Sequence, residues 1–233
     1  MLKRLTKRNQ TSMRRIYLFS VFLTLFTVCN AQESLQPFYQ NKKAGYKNQA
    51  GEVIVPPKYD AGSRFVNGFA VVMLNGLRGF INAKGTEIIP LHYRDAHPFS
   101  NACAPVKFDQ LYGYIDIIGR WIIRPQYEEA YPFFQHMSRV KKGNRYGFVN
   151  DTGQEVISCQ YTFAGDFKEG LAVVSKGGYY YYINSSNQTV IQGSFEYAFP
   201  FIREKAIVVL NGKKRYIDRN GQLLNEIPVH PKF

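Results

Sequence analysis

The chain has 233 residues, 45% hydrophobic, 15% aromatic and 20% charged, with a formal net charge of +13. That composition excludes a low-complexity chain and leaves length for one substantial all-β domain. The excess of base does not point to nucleic acid, because no nucleic-acid-binding motif accompanies it.

Residues 1–31 differ from the rest. Arg14 and Arg15 precede the apolar run 16–28, which ends in Cys29-Asn30-Ala31. A basic segment, an apolar segment and a small residue in that order predict a signal peptide cleaved after Ala31. The mature domain is then 32–233, exported to the periplasm or the cell surface. The run is shorter than the ~20 residues of a membrane span. Met13 is an alternative start, and lipid on Cys29 an alternative fate that Val28 and Phe26 disfavour. Residues 1–31 hold six Lys/Arg and no Asp/Glu, so +7 remains on the mature chain.

From there one pattern recurs with a 34-residue period, opening on Tyr46, Phe80, Tyr114, Phe148, Tyr182 and Tyr216. Two residues later stands Asn48, Asn82, Asp116, Asn150, Asn184 or Asp218. Three further on stands Gly51, Gly85, Gly119, Gly153, Asn187 or Gly221. A fixed period of this length marks a repeat architecture. The apolar runs are short, β-branched or aromatic, and broken by Gly, Asn and Pro, which predicts strands rather than helices.

The Asn/Asp-x-x-Gly step predicts a type I turn closing a hairpin. Its Asn or Asp oxygen accepts from a backbone N–H ahead, and its Gly takes a left-handed bulge position. Asn187 is the next best tolerated residue there. A third strand precedes each hairpin, as in Ala70-Val71-Val72 and Ala206-Ile207-Val208. The unit is therefore a three-stranded meander. Six of them run over roughly 35–55, 69–90, 103–124, 137–158, 171–192 and 205–226. The first is degenerate, with Phe38 alone at the position of Val72. Pro105 predicts an edge or bulged strand in the third.

Connectors between meanders carry Tyr59, Tyr93, Tyr127, Tyr161 and Phe195 in one column. Phe65, Phe99, Phe133, Phe167 and Phe201 form another, with Gly62 or Ala between. Rings beside a small residue predict the seam between stacked units, since one meander cannot bury its own faces.

No nucleophile–base motif, metal-ligand spacing or phosphate loop is present, so neither an enzyme nor a cofactor or metal site is expected. His92 and His97 lie in a connector. Asp116 and Asp218 serve turns, whereas Asp95, Glu128, Glu129 and Asp166 are scattered over connectors. Cys103 and Cys159 occupy different columns and are expected to be free thiols. The run Tyr179–Tyr182 stands apart. With Tyr182 and Tyr180 facing the core, Tyr179 and Tyr181 face outward, where tyrosines can contact a sugar or a peptide. Cross-strand packing is the alternative.

The pattern resembles the WG-repeat (KWG) proteins of bacteria. The third unit carries Gly113-Tyr114-Ile115-Asp116, Gly119, Ile122-Ile123, Pro125, Tyr127-Glu128, Ala130 and Phe133. The fourth carries Gly147-Phe148-Val149-Asn150, Gly153, Val156-Ile157, Tyr161, Ala164, Phe167, Gly170, Ala172 and Val174. The family's Trp column holds Ala44, Arg78, Tyr112, Tyr146, Tyr180 and Lys214, and Tyr181 and Arg215 replace its Gly. Variable repeat number in the family implies an open superhelical stack, with a six-bladed propeller-like ring as the alternative. An envelope scaffold binding a protein or peptide is the expected function, with a glycan-binding module as the second reading. Gly119→Val should lower stability by about 1–2 kcal/mol through left-handed strain, read by thermal denaturation.

Overall fold

The computed structural model describes residues 35–224. The signal-peptide, Met13 and Cys29 readings lie outside the described residues. Among the described residues every element is a strand, and the strands form six antiparallel sheets. Sheet 1 contains β1 (Gln36–Gln40), β2 (Lys43–Lys47) and β3 (Val53–Tyr59). Sheet 2 contains β4 (Ala61–Gly62), β5 (Phe69–Leu74), β6 (Leu77–Asn82) and β7 (Glu87–Tyr93). Sheet 3 contains β8 (Asp95–Ala96), β9 (Cys103–Phe108), β10 (Leu111–Asp116) and β11 (Trp121–Tyr127). Sheet 4 contains β12 (Glu129–Ala130), β13 (Met137–Lys142), β14 (Arg145–Asn150) and β15 (Glu155–Tyr161). Sheet 5 contains β16 (Phe163–Ala164), β17 (Ala172–Lys176), β18 (Tyr179–Ile183) and β19 (Thr189–Phe195). Sheet 6 contains β20 (Tyr197–Ala198), β21 (Ala206–Leu210) and β22 (Lys213–Ile217).

The repeated three-stranded meander is therefore present in sheets 1–5, sheet 6 shows its first two strands among the described residues, and the connector adds one element to each unit after the first. After β3 the chain bends at Asp60, and β4 pairs with β5 of the next sheet through Ala61↔Met73 and Gly62↔Val72. Each connector thus carries the chain from the edge of one sheet to the opposite edge of the next. The degenerate first unit folds like the others, with Phe38 opposite Gly45 as Val72 is opposite Gly79.

Pro105 departs from expectation. Its strand β9 is an inner strand, paired with β8 on one side and in unbroken register with β10 on the other. A proline is tolerated because β8 ends at Ala96, short of a ladder bond to that nitrogen. In sheet 2 the equivalent Val71 N–H donates to a side chain, the hydroxyl of Ser63.

The Asn/Asp-x-x-Gly step forms the same turn in all six units. The side-chain oxygen of Asn82 accepts from the N–H groups of Lys84 and Thr86, both at 3.0 Å. Asp116 accepts from Ile118 and Arg120, and Asp218 from Asn220 and Gln222. The closing residues have left-handed φ, +82° at Gly119 and +61° at Asn187. Asn187 gains a use that glycine lacks, since its Oδ1 accepts from the Tyr161 hydroxyl of the preceding sheet at 2.6 Å.

A second glycine column is explained by a bulge. In every complete hairpin the third strand places three residues opposite one, as Phe148↔Ile157 and Tyr146↔Tyr161 bracket Gly147. The bulged backbone lies so close that a Cβ on Gly45 would stand 2.6 Å from the Val55 carbonyl oxygen. Gly79, Gly113 and Gly147 meet the carbonyls of Ile89, Ile123 and Ile157 equally closely. Pro56, Pro57, Pro90 and Pro125 all fall in these bulges, where no ladder donor is missed.

Five hydrophobic clusters fill the spaces between the six successive sheets. Each is built on one recurring pair, the aromatic that opens a unit against the phenylalanine of the connector that follows it. Ring centroids lie 5.4 Å apart for Tyr46–Phe65, 4.8 Å for Phe80–Phe99 and Phe148–Phe167, 5.1 Å for Tyr114–Phe133 and 5.0 Å for Tyr182–Phe201. Where the first ring is tyrosine, its hydroxyl donates to the carbonyl of Ser63, Tyr131 or Phe199. The Tyr59, Tyr93, Tyr127 and Tyr161 column is buried in the same seams.

The two ends of the stack differ from its middle. No cluster among the described residues joins sheet 6 to sheet 1, so the described sheets form an open stack. At the position of the buried Ile81, Ile115, Val149, Ile183 and Ile217, sheet 1 carries the exposed Lys47. Among the described residues nothing stands within 4 Å of a Cβ placed on Gly51, whereas its equivalent on Gly119 would rest on Ile89. Gly147→Ala should destabilise by about 1–3 kcal/mol or more, because backbone must move to admit the methyl. Gly51→Ala should lose only about 1–2 kcal/mol, from its left-handed φ alone. Chemical denaturation of the two variants compares them, and equal losses would contradict the close approach at the bulge.

Candidate functional site

Three surfaces carry the groups that could bind something. The first is the Tyr179–Tyr182 run on β18. Tyr182 is fully buried toward sheet 6 and Tyr180 packs beside it, as alternation requires. The opposite side is not solvent, however. Both faces of an inner sheet meet a neighbour, so Ile183 and Tyr181 turn toward sheet 4. Tyr181 is half-buried with its ring 6.2 Å from that of Tyr161, and only Tyr179, at the start of the strand, is freely exposed at 53%.

Tyr181 occupies the bulge-facing column that is glycine in sheets 1–4. The bulge opposite is Gln192-Gly193-Ser194, with glycine at its centre. The misfit coincides with a groove of ≈ 620 Å³ lined by Tyr179, Tyr181, Thr189, Gln192, Gly193 and Ser194. Its walls are hydroxyl, amide and backbone groups beside two phenol rings.

The second surface follows the column Arg78, Tyr112, Tyr146, Tyr180, Lys214. In the first half these residues meet acids from β8 and β12. Arg78 and the Tyr112 hydroxyl both bind Asp95. Glu129 accepts from Tyr131 at 2.6 Å, Lys141 at 2.8 Å and Tyr146 at 3.3 Å. Those hydrogen bonds from Lys141 and the two tyrosines hold the Glu129 carboxyl below its ordinary range. In sheets 5 and 6 the acids are replaced by Phe163 and Tyr197, and the ladder becomes aromatic. Successive centroids are 5.5 Å apart for Phe163–Tyr180, 4.8 Å for Tyr180–Tyr197 and 5.3 Å for Tyr197–Phe199. Tyr197 and Phe199 are exposed.

The third surface adjoins it. Phe199, Pro200, Ile202, Ile207 and Tyr216 line a groove of ≈ 580 Å³ on the free side of sheet 6, with Lys168, Arg203 and Lys205 around it. Sequence reasoning missed the second and third surfaces. The signal was present in the register of the repeat, where Ala61, Asp95 and Glu129 give way to Phe163 and Tyr197.

The other chemically active groups are bound into the scaffold. Glu128 accepts from the Gly143 N–H at 2.8 Å, and Asp166 faces Arg139 at 3.8 Å. Arg139 also stacks on Tyr131 with its guanidinium carbon 3.8 Å from the ring centre. His92 packs on Tyr93. His97 lies 4.0 Å from Asp95, and burial together with nearby Arg78 holds its imidazole below the usual range. Cys103 and Cys159 are free, both pushed up to about 11, chiefly by burial. Among the described residues no group of three or more His, Cys, Asp and Glu is placed to hold a metal ion, and no helix is long and apolar enough to cross a membrane.

A family model described as "WG containing repeat" matches residues 45–77, 79–112, 112–146, 146–180 and 182–213. No curated protein matches the chain. Among solved structures, a crystal structure of a eukaryotic initiation factor is similar with a TM-score of 0.52 and 12% identity, over 83% of this chain and 63% of that one. The chain therefore spans less than two thirds of that structure, and at this identity the likeness concerns the fold alone. Hsv2p of Kluyveromyces lactis gives a TM-score of 0.47 and 12% identity, over 81% of this chain and 72% of that one.

Burial also raises Tyr127, Tyr131 and Tyr161 to about 12. A group whose folded pKa is raised contributes stability that is complete below its unfolded value and lost as pH climbs to the folded one. With unfolded values near ~8.5 for thiols and ~10 for phenols, the denaturant midpoint should fall progressively as pH rises from ~8 toward ~12. At pH ~8 neither thiol should react with a disulfide reagent until the protein is unfolded. Rapid labelling of both thiols in the native protein would contradict their burial.

Proposed function

The chain belongs to the WG-repeat family, and from that premise we propose that it is an exported, non-enzymatic scaffold that binds a protein or peptide partner in the cell envelope. The observation that carries this reading is how the stack uses its polar groups. Asp95, Glu128, Glu129 and Asp116 each bind a neighbouring strand, turn or sheet, and Asp166 lies 3.8 Å from Arg139. Their bonds run within the scaffold, and at the groove that Asp95 lines, its carboxylate is already taken by Arg78 and Tyr112. The exposed surface of the last two sheets includes aromatic and apolar groups, with Tyr197, Phe199 and Ile202 at 44%, 40% and 64%. Aromatic anchors of this kind supply most of the energy at protein interfaces. The reading of residues 1–31 as an export signal belongs to the same proposal.

A second reading has one observation behind it. The Tyr179–Tyr181 groove has polar walls beside phenol rings, a surface suited to a sugar. In that case replacing both tyrosines by alanine should abolish retention on envelope polysaccharide.

Purified residues 32–233 should retain a single stoichiometric protein from a native envelope extract split into protein and polysaccharide fractions. Retention on polysaccharide alone, weakened by free sugar, would replace the scaffold reading with the glycan reading. Hydrolysis of an envelope glycan by the purified protein would overturn both.

A further inference from the structure

The free side of sheet 6 departs from every other sheet face in the stack. In sheets 1–5 the opening aromatics Tyr46, Phe80, Tyr114, Phe148 and Tyr182 are fully buried beneath the next sheet. Tyr216 occupies the same column, keeps its aromatic character and is only half-buried. At the opposite end of the stack, sheet 1 carries polar residues in the equivalent columns. There Gln36 and Lys47 stand where inner sheets have Ala or Ser and Ile or Val. Terminal repeats need such a polar outer face to remain soluble. Sheet 6 is more apolar, with Ile207, Val209 and Tyr216 sharing its outer face with Lys214, beside the exposed Phe199 and Ile202, among the described residues.

Charge identifies what such a face would accept. Residues 171–224 contain seven Lys/Arg and three Asp/Glu. The three acids are engaged. Glu196 accepts from the Gly212 N–H, Asp218 closes its turn, and Glu204 faces Arg219 at 3.5 Å. The neighbouring Glu169 accepts from the backbone N–H groups of Arg203 and Glu204 and also pairs with Arg219. The side chains of Lys168, Arg203 and Lys205, which surround the apolar floor, make no ion pair among the described residues. An apolar floor ringed by cations with no ion-pair partner among the described residues complements apolar side chains flanked by carboxylates.

The geometry points to this groove as the docking site for a short acidic peptide segment, seated by apolar side chains over Ile207 and Tyr216 and held by carboxylates at Lys168, Arg203 and Lys205. The inference rests on the scaffold reading and narrows it to one surface and one partner chemistry.

The test uses fluorescence anisotropy of the purified secreted protein with a labelled twelve-residue peptide of alternating Glu and Leu. Its Gln–Leu counterpart is the control. The Glu–Leu peptide should bind at least tenfold tighter than the Gln–Leu peptide at low salt, and the difference should shrink as salt screens the rim. Lys168→Glu with Lys205→Glu should weaken binding at least tenfold without moving the thermal midpoint. Lys42→Glu with Lys84→Glu, neither of which lines the groove, should leave it unchanged. Equal binding of the two peptides, or full affinity in the K168E/K205E protein, would overturn the proposal. Peptide-free self-association abolished by K205E would assign the face to a second copy of the chain and overturn it too. So would peptide binding that appears only in the full-length Ile227→Glu, Phe233→Glu variant, which would assign the groove to the chain's own C-terminal segment. An envelope partner retained equally by K168E/K205E would sink this inference while the scaffold reading stands. An extract that yields no protein partner, with Glu–Leu binding intact, would do the reverse.

Discussion

The stack depends on one contact made five times, the aromatic that opens a unit against the phenylalanine of the next connector. The two rings belong to the central strand of one sheet and to the connector that begins the next. A three-stranded sheet of this size has two apolar faces and no means of burying either alone. The pair buries one face of each sheet against its successor, and the short β strand in every connector fixes the register in which that happens. Burial of an aromatic side chain is worth several kcal/mol at about 25 cal/mol per Å². Stability therefore resides in the seams, as in other linear repeats.

Glycine recurs along the repeat for two different physical reasons. At Gly51, Gly85, Gly119, Gly153 and Gly221 the backbone is left-handed, and asparagine can stand in. At Gly45, Gly79, Gly113 and Gly147 the neighbouring bulged strand leaves no room for a side chain. Asn187 and Tyr181 show the difference. Asn187 keeps the turn and adds a hydrogen bond to Tyr161. Tyr181 breaks the steric rule at a bulge carrying Gly193, and a polar groove lies there. Departures from the repeat thus coincide with candidate binding surface, because a column free of the scaffold's constraint can carry other chemistry.

The same logic separates the two halves of the stack. Up to sheet 4 the column of Arg78, Tyr112 and Tyr146 meets the carboxylates of Asp95 and Glu129; Arg78–Asp95 joins sheet 2 to sheet 3, whereas the two tyrosines bind acids on the edge strand of their own sheet. Beyond it Phe163, Tyr180, Tyr197 and Phe199 replace ionic pairing with ring contacts, and the last two rings emerge at the surface beside the uncovered face of sheet 6. Polar groups already paired within the stack serve the scaffold, whereas the exposed rings Tyr197 and Phe199 offer surface to a partner.

The sequence by itself determined the period, the strand content, the turn at each Asn/Asp-x-x-Gly and the identity of the seam rings. Each of these is local or recurs with the repeat, so hydrogen bonding and side-chain volume within one unit suffice to specify it. Tertiary structure decided the rest. It made β9 an inner strand despite Pro105, because the partner β8 stops before the missing donor matters. It turned Tyr181 toward sheet 4 rather than to solvent, because alternation along a strand names two faces but not what lies against them. It left Tyr216 half-buried while its equivalents are fully buried, because a position in the stack, unlike a position in the repeat, has no signature in the residues of a single unit.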